Sequence, residues 1–166
     1  MTHTYLIALG GNMRHARYGG PGKVLASAID ALDSLGSVRA FSRIIGSAAI
    51  GPSQRRFANA ALVLAADIAP DRLLAGLKKI ERNFGKRGGQ RWSARVLDLD
   101  IILWSGGIWA SPGLSIPHTC FRERGFVLGL AAEIAPDWRD PISSLSVRQL
   151  NARLTKPRPI PSGRLR

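Results

Sequence analysis

The sequence predicts an α+β fold: a mainly antiparallel sheet with helices packed on one of its faces. Three observations carry this. Two segments repeat apolar residues at helical spacing, and four short segments run or alternate in the manner of strands. Their order, β-α-β-β-α-β, is that of a ferredoxin-like core. At 166 residues the chain has the size of one domain, expected over 1–152, with a tail at 153–166.

Residues 4–9 (Thr-Tyr-Leu-Ile-Ala-Leu) read as a buried strand that breaks at Gly10-Gly11-Asn12. A polar, glycine-rich loop leads to Gly22. Val24, Leu25, Ala28, Ile29, Leu32 and Leu35 then share one helical face, and Gly36 suits the helix stop. Residues 38–45 read as a strand, and 46–56 as a loop holding Gly51-Pro52. Residues 57–65 form a further strand, with Phe57, Asn59, Ala61 and Val63 on one face. Pro70 opens a second helix whose Leu73, Leu74, Leu77 and Ile80 form a buried stripe. Asp71 near its start and Lys78 and Lys79 near its end complement the helix dipole. After the basic glycine-rich loop 82–94 comes a strong strand, 96–104. A Gly106-Gly107 turn, a short segment and an Ile116-Pro117-His118 loop precede a helix over about 122–134 and a last helix at 146–154. Helices confined to one face leave the other face, or its rim, for ligands.

Charge narrows the partners. Lys and Arg number 24 against 11 Asp and Glu, a formal +13, which fits nucleic acid or a polyphosphate. Part of that charge is tail: residues 153–166 hold five basic residues, three prolines and no acid. A second concentration, 78–95, sits mid-chain among glycines. No apolar run approaches the ~20 residues of a membrane helix. The N-terminal residues lack the basic region and cleavage site of a secretory signal, and a cytoplasmic location is expected. One cysteine, Cys120, excludes an internal disulfide and a cysteine metal cage.

The chemistry concentrates in Arg95-Val96-Leu97-Asp98-Leu99-Asp100-Ile101-Ile102-Leu103-Trp104. On a strand, Leu97, Leu99, Ile101 and Leu103 share one face, and Asp98 and Asp100 share the other. Two carboxylates so placed repel unless cations intervene, and aspartate is a poor strand former. Magnesium, a hard cation that takes one or two carboxylates and completes its shell with water and phosphate, suits such a pair; so would pairing with nearby arginines. Upstream, Gly85-Lys86-Arg87-Gly88-Gly89-Gln90-Arg91-Trp92-Ser93-Ala94-Arg95 is a mobile cationic loop able to close over phosphates. Metal and arginines together are what phosphoryl transfer needs. Phe57 and Asn59 offer a ring to stack and an amide that donates and accepts, suited to the edge of a fused heterocycle. Phe126 is a candidate opposing ring, and His118 lies in a Pro-His turn close in sequence to Arg124. There is no Walker loop, since Gly22-Lys23 lacks both the earlier glycine and a following Ser or Thr. Arg124-Gly125-Phe126 begins like an RNA-recognition signature, but Val127 and Leu128 break it and the run reads as helix, so nucleic acid is not an expected partner.

Together these motifs resemble the 6-hydroxymethyl-7,8-dihydropterin pyrophosphokinase family, from Leu6 to about Trp138. In order they are Ala8-Leu9-Gly10-Gly11-Asn12-Met13, Ile50-Gly51-Pro52, Phe57-Ala58-Asn59-Ala60, Arg91-Trp92 with Arg95-Val96-Leu97-Asp98-Leu99-Asp100, Ile116-Pro117-His118, and Arg124-Gly125-Phe126-Val127-Leu128 followed by Glu133-Ile134-Ala135-Pro136. The resemblance implies transfer of the β,γ-diphosphate of ATP to the pterin hydroxymethyl oxygen, with release of AMP. It implies that Asp98 and Asp100 hold two magnesium ions and that Arg91, Arg95, His118 and Arg124 contact phosphates. By the same resemblance Lys86, Trp92, Ile101, Ser115 and Thr119 lie at the nucleotide, with Trp92 seating the closing loop. Phe57 and Phe126 would sandwich the pterin, and Asn59 with backbone at Ser47, Ala48 and Ile50 would read its edge. A monomer is expected. The chain departs from the family at Ser93-Ala94, where Gly-Pro is usual, and at Ser47-Ala48-Ala49, where a Thr-Pro-Pro-like stretch stands.

Overall fold

In the computed structural model, residues 1–47, 57–85 and 95–157 are described. The first strand, β1 (His3–Gly11), divides the molecule into two cores. Tyr5, Ile7 and Leu9 enter one of them; Leu6, fully buried, enters the other, with Ala8 packed against it. A strand buried on both sides belongs at the centre of a sheet. It pairs there with β4 (Phe57–Ala66) and with β5 (Asp98–Trp104), antiparallel in both cases. The sheet order is β2-β4-β1-β5, with β2 (Ser37–Phe41) at one edge and β3 (Ile45–Ser47) pairing further along β4.

Helices α1 (Pro21–Leu32) and α2 (Pro70–Phe84) cover the Tyr5 face through Val24, Leu25, Leu73 and Leu77. Helices α3 (Gly125–Ile134) and α4 (Val147–Thr155) cover the Leu6 face through Val127, Leu128, Val147 and Leu150. The α+β antiparallel sheet is as expected, but helices lie on both faces rather than one. The reason is visible in β1, where Tyr5, Leu6 and Ile7 are all fully buried, a continuous apolar run that one helical layer cannot cover.

Three local expectations change. The strand expected over 38–45 is two strands, because Ser42 replaces the ladder. Its Oγ accepts from the Ala61 N–H at 2.9 Å and donates to the Arg43 carbonyl at 2.8 Å. Gly36 does not stop α1, which ends at Leu32; a Cβ there would strike the Ala65 carbonyl, so the glycine lets the turn lie against β4. Leu103 does not share the face of Leu97, Leu99 and Ile101. Leu6 pairs with Leu103 and Ile7 with Ile101, so Ile102 is an extra, bulged residue that turns Leu103 into the second core. Beyond β5 the short segment is a hairpin of β6 (Trp109–Ser111) and β7 (Leu114–Ile116). Helix α4 runs past the expected boundary to Thr155, and Leu154 lies beside Gly125.

Candidate active site

Leu99 is fully buried against the α1/α2 core, which directs Asp98 and Asp100 to the opposite face, where α3 and α4 pack. Register extends the two carboxylates into rows across the sheet. Asp98 lies opposite Gly10, which lies opposite Asn59; Asp100 lies opposite Ala8, then Ala61. Asn59 therefore stands two strand spacings from Asp98, about 10 Å. Only Gly10 intervenes in that row, and a Cβ on it would sit 3.4 Å from the Asn59 Oδ1.

Electrostatics mark Asp100. Burial raises its carboxyl above the ordinary range and the charge of Asp98 raises it further, against the opposing pull of His118, Lys78 and Arg124. An added cation would relieve that repulsion. Among the described residues no group of three or more His, Cys, Asp or Glu is arranged to hold a metal. Two carboxylates backed by phosphate oxygens fit magnesium, which seldom uses an all-protein cage. Arg95 already pairs with Asp98, Nη1 to Oδ2 at 2.6 Å, yet both side chains are partly exposed, at 37% and 22%. Such a bridge is open to an incoming ligand.

His118 is held by the bulge. Its N–H donates to the carbonyl of Ile102, the extra residue of β5, at 3.0 Å. Its Nδ1 accepts from the Cys120 N–H at 3.3 Å. Burial lowers its pKa and Arg124 lowers it further, against the opposing pull of Asp100 and Asp98. With Nδ1 accepting, the Nε2–H is the donor left for an anionic oxygen. Arg124 is exposed at the start of α3, and its charge acts on both Asp100 and His118.

The remaining expected residues divide. Phe57, half-buried, opens β4 beside Asn59, itself buried, while Phe126 is 37% exposed on α3. A groove of about 370 Å³ runs past Phe126 between Ile45 of β3 and Gly129, Leu130 and Glu133 of α3. The Ser47 backbone pairs with Phe57. Ser115 on β7 and Thr119 after His118 are both exposed. Ile101, expected at the nucleotide, is 2% exposed in the α1/α2 core, so its side chain faces away from Asp100. Ala48, Ile50, Lys86, Arg87, Arg91 and Trp92 lie outside the described residues.

Three residues to which the sequence reading gave no role at the site hold the carboxylate strand. Asn12 Oδ1 accepts from the Arg95 N–H at 2.7 Å, and its own N–H donates to the Arg95 carbonyl at 2.9 Å. On the outer side of edge strand β5, Glu81 of α2 accepts from the Leu99 N–H at 2.7 Å, and Lys78 Nζ donates to Glu81 at 2.7 Å. The peptide between Asp98 and Asp100 is thus bonded by side chains where a sixth strand would otherwise lie. The signals were an asparagine straight after Gly10-Gly11 and an acid four residues after Leu77 on an apolar stripe.

Gly11 lets that clasp close, since a Cβ there would run into the Val96 carbonyl oxygen. Gly11→Ala is expected to cost about 3 kcal/mol or more by forcing apart the Asn12–Arg95 pairing. Urea unfolding of the variant checks it, and an unchanged midpoint would refute the close approach.

The chain matches the family model described as 7,8-dihydro-6-hydroxymethylpterin-pyrophosphokinase (HPPK) over residues 6–136. It is 35% identical to 2-amino-4-hydroxy-6-hydroxymethyldihydropteridine pyrophosphokinase of Synechocystis sp. over 153 residues, covering 89% of this chain and 74% of that protein. To the protein of the same name from Pseudomonas aeruginosa it is 36% identical over 144 residues, 85% and 86% of the two chains. Among solved structures it superposes on Plasmodium falciparum HPPK-DHPS with pterin and p-hydrobenzoate at a TM-score of 0.69 and 13% identity. That match covers 92% of this chain but 44% of the other, and at such identity it speaks for the fold alone.

Proposed function

This chain belongs to the 7,8-dihydro-6-hydroxymethylpterin-pyrophosphokinase family and transfers the β,γ-diphosphate of ATP to the hydroxymethyl group of 6-hydroxymethyl-7,8-dihydropterin in folate biosynthesis; we propose that it does so at the Asp98–Asp100 face, with magnesium. The observation that carries this placement is the pair of carboxylates on one strand face, with Asp100 raised by burial and by Asp98.

Two magnesium ions, held by Asp98 and Asp100, would neutralise the triphosphate and orient it. Arg95 leaves Asp98 for a phosphate oxygen as nucleotide arrives, an exchange open to it because both side chains are partly exposed. His118 donates Nε2–H to a phosphate oxygen, and Arg124 adds charge from the start of α3. Arg91, Lys86 and Trp92 complete the phosphate site from the glycine-rich loop, with Ser115 and Thr119 at the nucleotide. Asn59 reads the pterin edge with Ser47, Ala48 and Ile50, between the rings of Phe57 and Phe126. The roughly 10 Å from Asn59 to Asp98 leaves the pterin's hydroxymethyl arm near the phosphates. No general base for the hydroxymethyl group stands out among these residue types, so the rate is assigned to in-line positioning and charge neutralisation.

No helix among the described residues is long and apolar enough to cross a membrane, and use of ATP supports a cytoplasmic site of action. The test is AMP release from ATP. It is expected only with both magnesium and 6-hydroxymethyl-7,8-dihydropterin present, and purified protein that releases none under those conditions defeats the reading.

A further inference from the structure

From His118 to Arg124 the chain makes a single 3-10 turn, Phe121–Glu123, too short to stabilise itself. Its backbone bonds are long: Phe121 N–H to the His118 carbonyl at 3.3 Å, Glu123 to Cys120 at 3.2 Å, and Arg124 to Phe121 at 3.3 Å. A side chain supplies what the backbone does not. Arg122 reaches the α3–α4 connection, where its Nε and Nη2 donate to the two oxygens of Asp140 at 2.7 and 2.6 Å. Its guanidinium also lies over the Phe121 ring, 4.7 Å from the centroid, and Phe121 is 1% exposed in the second core.

Asp140 is a built socket. It is fully buried and also accepts from the Ser143 hydroxyl at 2.5 Å and from the N–H groups of Ile142 and Ser143 at 3.2 and 3.3 Å. Its own N–H donates to the Leu145 carbonyl at 2.9 Å, and its carbonyl accepts from Ser144 at 2.8 Å. The acceptor therefore cannot drift, and a planar fork bonded at both oxygens fixes direction as well as distance.

We propose that the Arg122–Asp140 clip is a positioning element of the transfer site, setting where His118 and Arg124 stand relative to Asp100. The inference rests on the phosphate-binding roles given above to those two residues. Stability alone does not call for a fully buried Asp140 beneath an arginine that stays 29% exposed, since apolar residues of similar size often serve as well or better in such a place. An anchor inside the His118–Arg124 segment, at Arg122, is what this pair provides. It also commits Arg122 to Asp140, leaving Arg124 as the guanidinium whose charge reaches Asp100.

The test uses the whole chain carrying Arg122→Met and Asp140→Asn together. Methionine keeps a stem over Phe121, and the asparagine carbonyl still accepts from Ile142 and Ser143, so no buried charge is left unpaired. Expected are a kcat for AMP formation lower by about 10- to 100-fold, a pterin Kd within about twofold of wild type, and amide exchange faster by about tenfold at 118–124. Arg122→Lys, which keeps the charge and loses the fork, should recover part of the kcat. A folded double variant with wild-type kcat and wild-type exchange overturns the proposal and leaves the clip a stability element only. Should the wild-type protein itself release no AMP, the transfer reading fails, and the exchange rates at 118–124 alone decide whether the clip orders the segment.

Discussion

Asp100→Ala is expected to lower kcat for AMP release by about 10³-fold or more, roughly 4 kcal/mol of transition-state stabilisation, while making the ligand-free protein more stable. The two effects share one cause. Burial and Asp98 hold the Asp100 carboxyl above its ordinary range, so its ionised form costs folding energy until a cation arrives. In the ligand-free protein its contribution to stability is complete below the unfolded carboxylate pKa and lost as pH rises through the folded value. Removing the carboxyl at pH 7 should therefore raise the stability and the Tm of the ligand-free protein. Asp98→Ala should show a similar loss of turnover, with a smaller gain in Tm because Asp98 already pairs with Arg95. Scanning calorimetry without ligand, beside an AMP assay, checks both. Near-normal turnover in either variant would refute the metal assignment, and a fall in Tm for Asp100→Ala would refute the repulsion.

The second large effect is on folding. Asp140→Ala should destabilise the protein by about 3 kcal/mol at pH 7, roughly 10 °C in Tm, because Arg122 and three local donors lose their acceptor. Burial pushes the Asp140 carboxyl up, but the hydrogen bonds from Arg122, Ser143 and Ile142 outweigh it and hold the pKa at about 2. A folded pKa below the unfolded value of about 3.9 gives stability that is fully present above that value and lost as pH falls through 2. For such a shift it amounts to roughly 2–3 kcal/mol. Wild type should therefore lose stability steeply between pH 5 and 2 and the variant much less, so their curves converge. Urea unfolding across that range is the measurement; parallel curves would show that Asp140 does not titrate with the fold.

How much of this could be read from the chain varies by residue. The helical stripe of Leu73, Leu77 and Ile80 and the capacity of Asp98 and Asp100 to share a face follow from local periodicity, and both stand in the structure. Ile102 gave no such warning. A bulge has no composition of its own, and this one decides that Leu103 enters the second core and that a carbonyl is presented to His118. Glu81 and Asn12 were visible as anomalies, an acid on an apolar stripe and an amide after two glycines, but their partners lie 18 and 83 residues away. The Arg122–Asp140 pair was equally out of reach, since nothing near Arg122 in sequence points to the α3–α4 connection.

Order of elements, spacing of apolar residues and the acidic pair on one strand are properties of neighbours in the chain, and the sequence alone determined them. Contact between distant segments decided the rest: which faces the helices cover, which way Ile101 points, and what holds Leu99, His118 and Arg124 in place. The physical reason is that periodicity reports only which side of an element is apolar. The partner on that side is chosen by packing and by the pairing of backbone groups across the sheet.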